Sequence, residues 1–480
     1  MDRTVIVEKL DIGHRGAVLE DGSVREWLID DVHGPLQEGM IVAGRVENVL
    51  NGMDAAFIDI GDTKHGYLHM KEHPEYQAWK LREDGKPAPK AAALLQKGDR
   101  VIVQVKKEAA GSKGCSLTML LSISGTYTIY MPYGGYAAVS KKIKDESRAA
   151  IRREVRSWLA EQEGIIVRTN AEETESELLK EEFKLLRSRI DGMLKEKPKA
   201  PGTLYYDESR TDLRVEKDYV GAANTAVITN DADLAAQWKR TSPHVTWRAG
   251  SLFPAYNLDK ELEKSLRSFV WLKNGGSLMI QETEAMTVID VNSGKYTGSS
   301  GMRDTAYDVN MAAAEEISRQ LRLRNIGGMV IIDFIEMNRS DAAKQVEETL
   351  QAALRRDGST TNVAGFTRLG NMEMTRKQTR RKLSQLLTES CPCCSGAGRL
   401  KTLWQLTEEL KQQAQAEEAE ACLFDVPERL AAYLRKESFA RGLPELYIRI
   451  RRGNDRAELV RTGTVEEIKG SGERLGGVLS

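Results

Sequence analysis

Two short apolar runs, TVIDVNSG (287–294) and GGMVIIDF (327–334), each carry an aspartate and bracket a helix-length stretch near residues 305 to 325. Strand, helix and strand in that order make the text from residue 269 onward α/β, and the amphipathic SDAAKQVEETLQAALRRD continues it. An acid is out of place at the end of GGMVIID. Such a strand is normally buried on both faces, where an unpaired charge is costly. Asp290 and Asn292 are two apart on one strand and so face the same side. With Asp333 they make a hard oxygen shell suited to magnesium, which takes carboxylates, waters and substrate phosphate. That is equipment for metal-assisted phosphodiester hydrolysis. The bland alternative is that Asp290 or Asp333 caps a turn or pairs with a buried arginine, and spacing alone leaves both readings open.

A second constraint lies in ESCPCCSGAGRL, residues 389–400. Cys391 and Cys394 have the C-x-x-C spacing of a zinc knuckle, with Gly396 and Gly398 turning the chain behind them. Structural zinc is four-coordinate, and one knuckle offers two thiolates. Cys115 and Cys422 read as ordinary buried thiols. Cys393 is able to replace one knuckle ligand but not to add two. His65, His69 and His73 have a helical metal spacing, yet HGYLHMKEH reads as a strand and loop, which separates the rings. A second copy of the chain then supplies the other two thiolates, giving a zinc-linked dimer.

The 480 residues leave room for about three domains. Lysine and arginine nearly balance aspartate and glutamate, for a net charge of -1, so any nucleic-acid contact must come from local patches. No run approaches the ~18 apolar residues of a membrane span, and MDRTVIVEKL lacks a signal peptide. With five cysteines, an odd count, a reducing cytoplasm is expected. Residues 4 to 30 alternate around an Asp21-Gly22 turn as an antiparallel strand set. Residues 39 to 122 hold five short strands, with a polar stretch at 71 to 97, and fit a small OB-type barrel. A charged helix, the strand GIIVRT and the long helix AEETESELLKEEFKLLRSRIDGMLKEK follow, the last stopping at Pro198. Residues 401 to 480 read as a small α+β domain, without a disordered extension.

TVIDVNSG, EEISRQLRLRNIGGMVIIDFIEM, LGNMEMTRK and CPCCSGAG, in that order, resemble the ribonuclease E/G family. AAFIDIG, GYL and IIVRT extend the likeness over nearly the whole chain, and the length is closer to the ribonuclease G build. The resemblance implies a multidomain α/β and α+β architecture. A discontinuous ribonuclease H-like domain (1–35 and 202–268) would carry an inserted S1 barrel of the OB fold (36–122) and a 5'-end sensor subdomain (123–201). A DNase I-like catalytic domain (269–388), a zinc link (389–400) and a small C-terminal α+β domain for dimer or tetramer assembly (401–480) would follow. It implies an endoribonuclease that leaves 5'-phosphate ends on single-stranded RNA, favours 5'-monophosphorylated substrates, and serves rRNA and tRNA processing and mRNA decay. Asp290 and Asp333 would hold magnesium, with Asn292 orienting them. Cys391 and Cys394 would share one zinc between two subunits, with Cys393 a spectator.

The same resemblance assigns Phe57, Tyr67 and Lys113 on the barrel to RNA, Tyr67 standing where phenylalanine is more usual. Strand packing is the plain alternative for Phe57, and an exposed lysine in GSKG usually means nothing. It assigns Arg168 and Thr169 to the 5'-monophosphate, with Gly134, Gly135 and Val139 lining the pocket. A helix starting directly after them would add its N-terminal N–H groups, although Glu172, Glu173 and Glu175 in its first turns would repel a phosphate. The family also tends to carry cations in a D-R-A-K type segment. Here DGSTTNV puts Gly358 and Thr360 in their place, leaving Arg368, Arg376 or Lys377 to substitute. RKQTRRK (376–382) has five cations in seven residues. Such a run is usually a solvated face, but its position between the catalytic strands and the knuckle favours RNA contact by Arg376 and Lys377.

Three other readings compete. A non-catalytic S1 RNA-binding protein would bind without cleaving. A redox C-x-x-C would sit at a helix start, not in a glycine-bounded turn. NSGKYTG, with Gly294-Lys295, lacks the earlier glycine of a P-loop.

Overall fold

The computed structural model describes residues 2–475 apart from 32–33, 83–86, 110–112, 173, 295–301, 338–339, 395, 397, 437–442 and 452–455. Glu173 and Lys295 therefore lie outside the described residues. The chain divides into two compact units, residues 1–386 and 387–480.

In the first unit, five strands form a mixed sheet in the order Val245–Trp247, Thr225–Thr229, Arg3–Lys9, His14–Glu20, Ser23–Ile29. The start of the chain thus pairs in parallel with residues some two hundred positions later, Val5 opposite Val227. Strand alternation places Val5 and Val7 against Val215 and Trp238 on one face, and Ile6 against Leu252 and Phe253 on the other. The sequence between those strands folds as two further bodies.

The first is a barrel. Ile41–Leu50, Ala55–Asp59, Gly66–His69, Ser116–Thr118 and Arg100–Lys107 pair in that order, and Arg100–Lys107 closes back on Ile41–Leu50. Closure leaves no open edge among these five strands, and it meets the expectation of a five-stranded OB-type barrel. The polar 71–97 stretch is more regular than expected, holding helices Pro74–Arg82 and Ala91–Leu94. His69 and His73 accept backbone N–H groups from Lys71 and Glu75, at 3.1 and 3.2 Å, so both rings act as turn caps.

The second body is a four-stranded sheet, Ala137–Val139, Gly164–Val167, Thr128–Met131 and Ile123–Ser124, covered by the helix Ser176–Lys195. Leu179, Phe183, Leu186 and Ile190 are its buried stripe, at the three- and four-residue spacing of one helix face.

The α/β body has a six-stranded sheet ordered Phe269–Trp271, Ser277–Glu282, Met286–Asn292, Gly328–Asp333, Met372–Arg376, Thr361–Phe366. Met286–Asn292 and Gly328–Asp333 are parallel neighbours joined by the helix Met302–Leu323. That helix and Ser340–Leu354 cover one face, over Leu278, Ile280, Ile289, Val291, Val330 and Ile332. Asp290, Asn292 and Asp333 take the alternate positions and are exposed. The strand is therefore not buried on both faces, and the expected cost of burying Asp333 does not arise.

The second unit has its own four-stranded sheet, Glu458–Gly463, Ala421–Val426, Glu445–Ile450 and Glu473–Arg474. Leu406 and Leu410 of the helix Leu403–Gln415 pack on it with Phe424 and Leu430. Cys422 is wholly buried here, as Cys115 is in the barrel, and burial pushes both thiols up.

Candidate active site

The parallel register sets Asp290 directly opposite Asp333. Partners in one rung point to the same face, and neighbouring strands lie about 4.8 Å apart. Two carboxylates therefore emerge side by side at the C-terminal ends of adjacent strands. Asn292, one pleat further on, donates its amide nitrogen to Asp290 Oδ2 at 2.7 Å, so it orients that carboxylate. Neither acid is buried and, among the described residues, neither pairs with an arginine. No cluster of three or more histidine, cysteine or acidic side chains forms a metal cage among the described residues. Magnesium does not need one, because it is held by one or two carboxylates and keeps its remaining places for water and phosphate. The Asp290–Asp333 pair fits that donor set.

Within the basic run RKQTRRK, Arg376 is not the solvent-facing RNA contact expected of it. Arg376 is 3% exposed. Its Nε and Nη2 bond the two carboxylate oxygens of Asp357 at 2.6 and 3.1 Å, and Nη1 reaches the Ile326 carbonyl at 2.9 Å. Arg376 continues the core-facing parity of Met372 and Met374, which is why it points inward. Arg380 bonds Glu26 at 2.6 Å, Arg381 bonds Asp31 at 2.7 Å, and Lys382 lies 3.3 Å from Glu282. Lys377 is exposed and lines a groove of about 1220 Å³ with Lys106, Lys217 and Gln378. It lies past the end of the strand remote from Asp333, because Arg376 pairs with Gly328 and Met372 with Ile332. The exposed Arg368 lies in the hairpin turn just beyond Met372, at the end of the sheet where Asp333 emerges.

On the barrel, Phe57 and Tyr67 are cross-strand partners whose rings meet edge to face, with centroids 6.1 Å apart. Both are half-buried, and Lys113 is exposed on the loop leading to Ser116–Thr118. A surface aromatic pair with a neighbouring cation is the equipment for stacking bases and holding phosphates.

Arg168 and Thr169 close the strand Gly164–Val167. Arg168 Nη1 donates to the Gly125 carbonyl at 2.6 Å, and Thr169 Oγ1 lies 2.9 Å from Ser140 Oγ. A single 3-10 turn, Thr169–Ala171, follows, and the long helix starts only at Ser176, so its N-terminus does not directly follow the pair as expected. Glu172 instead accepts the backbone N–H of Lys144 at 3.3 Å, just ahead of a different helix, Asp145–Arg156. Gly134 and Gly135 do not gather round Arg168–Thr169, whereas Val139 pairs with Val167 beside them. A Cβ on Gly134 would lie 2.9 Å from the Gly164 Cα, and Gly135 N–H bonds Gln162, both at the opposite end of the Gly164–Val167 strand. Val139 is 6% exposed, its side chain in the hydrophobic core opposite Val167.

In the knuckle, Cys391 is exposed and Cys393 and Cys394 are half-buried. The backbone N–H groups of Cys393 and then Cys394 lower the Cys391 thiol below its ordinary range, with a further contribution from the Cys394 side chain. Gly398 N–H donates to Cys394 Sγ at 3.3 Å, and Gly396 and Gly398 both take positive φ. Amides aimed at sulfur favour the thiolate, the form that binds metal.

A model of the ribonuclease E/G family matches residues 122–379. Ribonuclease G of Escherichia coli strain K12 is 35% identical over 406 residues, covering 81% of this chain and 82% of its own. Ribonuclease G of Haemophilus influenzae is 34% identical over 405 residues, again 81% and 82%. The chain belongs to the ribonuclease E/G family. Ribonuclease E of Nostoc sp. strain PCC 7120 is 34% identical over 403 residues, which is 80% of this chain and 57% of that longer relative.

Against the ribonuclease E/G pattern, two features of this chain went unread in the sequence. Asp357, which opens DGSTTNV, is the buried partner of Arg376, so that segment keeps a structural acid where Gly358 and Thr360 lack cations. Ser140, followed by the exposed Lys141 and Lys142, is what meets Thr169, and it directly follows Val139 in the same stretch. A hydroxyl and two lysines were the better signal for an anion than an apolar β-branched residue.

Proposed function

We propose that this chain, an endoribonuclease by its family, cuts single-stranded RNA at the Asp290–Asp333 rung with magnesium as cofactor. The carrying observation is the register that puts the two carboxylates side by side on the exposed face. Asp290 and Asp333 would hold the ion, with Asn292 fixing the Asp290 carboxylate. Magnesium bound there would act as a Lewis acid on the scissile phosphate. Phe57 and Tyr67 offer a stacking surface for the strand, and Lys113 a charge for its backbone. Arg368 is an exposed cation at the acid end of the sheet and would take the role that DGSTTNV lacks.

A preference for 5'-monophosphorylated ends is supported by Arg168, Thr169 and Ser140, with Lys141 and Lys142 beside them. RNA maturation and decay are the corresponding roles. Cys391 and Cys394 would share one structural zinc with the same pair of a second copy, the remaining two ligands that a tetrahedral site requires.

The test is cleavage of a short single-stranded RNA in magnesium, carrying either a 5'-monophosphate or a 5'-hydroxyl, beside an Asp333→Asn control. Cleavage lost in the control and faster on the phosphorylated end is the expected result. Tight binding without cleavage by the intact protein would instead make the chain an RNA-binding module built on its barrel.

A further inference from the structure

The rung that joins Asp290 to Asp333 does not stop there. Asp290 pairs with Met279, and Met279 pairs with Phe269 on the edge strand. One pleat along, Asn292 pairs with Ser277, and Ser277 with Trp271. Because rung partners share a face, Phe269 and Trp271 project from the same side of the sheet as the two acids and the amide. Phe269 is two strands from Asp290, roughly 10 Å at the usual strand spacing. Val270, between them, packs on the core, so the register of the edge strand is fixed from behind.

Both aromatics are exposed, Phe269 to 40% and Trp271 to 64%. Their rings meet edge to face at 4.9 Å, with an interplanar angle of 81°. A pre-formed T-shaped pair leaves a flat indole face at a fixed position. Exposed apolar side chains scattered singly need no explanation, but paired aromatics on an edge strand are a liability that folds tend to avoid. The exposed Lys273 lies in the turn that follows Trp271, at the end of the sheet where Asn292 emerges. An aromatic platform, a cation and two acids on one continuous face match a single nucleic-acid strand. Its bases are free to stack, and its phosphates run alongside.

We propose that Phe269 and Trp271 form a stacking subsite for an unpaired base of the RNA near the bond to be cut. The subsite rests on the nuclease reading and adds to it a base-binding position outside the barrel. It places the RNA by the base, while the acid pair meets the phosphate.

The test combines variants Trp271→Ala, Trp271→Tyr and Phe269→Ala with a set of short single-stranded RNAs, each carrying one abasic nucleotide at a successive position around the cleavage site. In the parent protein, one abasic position should raise KM about tenfold, as loss of one base–aromatic stack does. Trp271→Ala should raise KM by a similar factor on intact RNA and add nothing on that abasic RNA, and Trp271→Tyr should restore it. Additive losses at every position, or an unchanged KM, would overturn the subsite. So would a fall of the Trp271→Ala protein to half its mass in sedimentation, which would make the aromatics a contact between copies. The same comparison is read as binding affinity in the Asp333→Asn protein. A parent that binds but never cuts then sinks the nuclease reading while the subsite is still measured.

Discussion

Arg376 and Asp357 are locked together inside the α/β body by two hydrogen bonds, their side chains 3% and 4% exposed. The pair ties the strand Met372–Arg376 to the segment after the helix Ser340–Leu354. Removing one partner leaves the other charge buried. Arg376→Ala should therefore destabilise the protein by about 3–5 kcal/mol, seen as an earlier urea midpoint. Loss of RNA affinity without loss of stability would contradict this.

Lys377 and Arg368 separate two ways of meeting RNA. Lys377→Ala should weaken binding in a salt-dependent manner and leave kcat alone, as a distant phosphate contact does. Arg368→Ala should lower kcat about tenfold, the loss of one charge-assisted hydrogen bond, with stability unchanged. Equal effects of the two variants on KM and kcat would remove the distinction.

At the proposed metal rung, Asp290→Asn or Asp333→Asn should reduce kcat by about a thousandfold, the scale of several kcal/mol of charge stabilisation. Asn292→Ala should cost roughly 10- to 100-fold, as loss of a group that orients a metal ligand does. RNA affinity measured by anisotropy should survive in all three.

Glu26 sits among Arg214, Arg380, Arg322 and the Tyr219 hydroxyl. Burial alone would raise its carboxyl, but the three guanidinium groups hold it far below its ordinary 4.5. The folded state thus binds the proton more weakly than the unfolded chain. Its stabilising contribution is complete above about pH 4.5 and is lost as the pH falls below that value. Glu26→Gln should lower stability at neutral pH and flatten the acid limb of the stability profile. A parallel profile shifted by a constant would show that Glu26 is not the titrating group.

Cys391→Ser or Cys394→Ser should abolish bound zinc and halve the sedimenting mass, with Cys393→Ser leaving both intact. One zinc per chain, unaffected by dilution, would mean a site closed within a single copy.

Sequence patterns carried the barrel, the α/β order and the acid pair, because each depends on local alternation and on where an apolar run ends. What they missed depended on pairing partners far away. The inward turn of Arg376 follows from its parity with Met372 and Met374, and its partner Asp357 lies across a hairpin. Charge counting along RKQTRRK could not see Glu26, Asp31 or Glu282, some hundreds of positions earlier for the first two. The family resemblance assigns Gly134 and Gly135 to the lining of the 5'-phosphate pocket, yet Gly134 serves the close approach of one backbone to another at Gly164.

The distance between Asp290 and Asp333 is set by the backbone ladder rather than by long side chains. Loops around it can lengthen or change composition without altering that spacing. A slip of one residue between the two strands, however, would turn one acid toward the helices. Substitutions in the core beneath, at Ile289 or Ile332, would thus act on the chemistry as errors of alignment. Activity would then fade in partially loosened variants before circular dichroism registers any loss of helix.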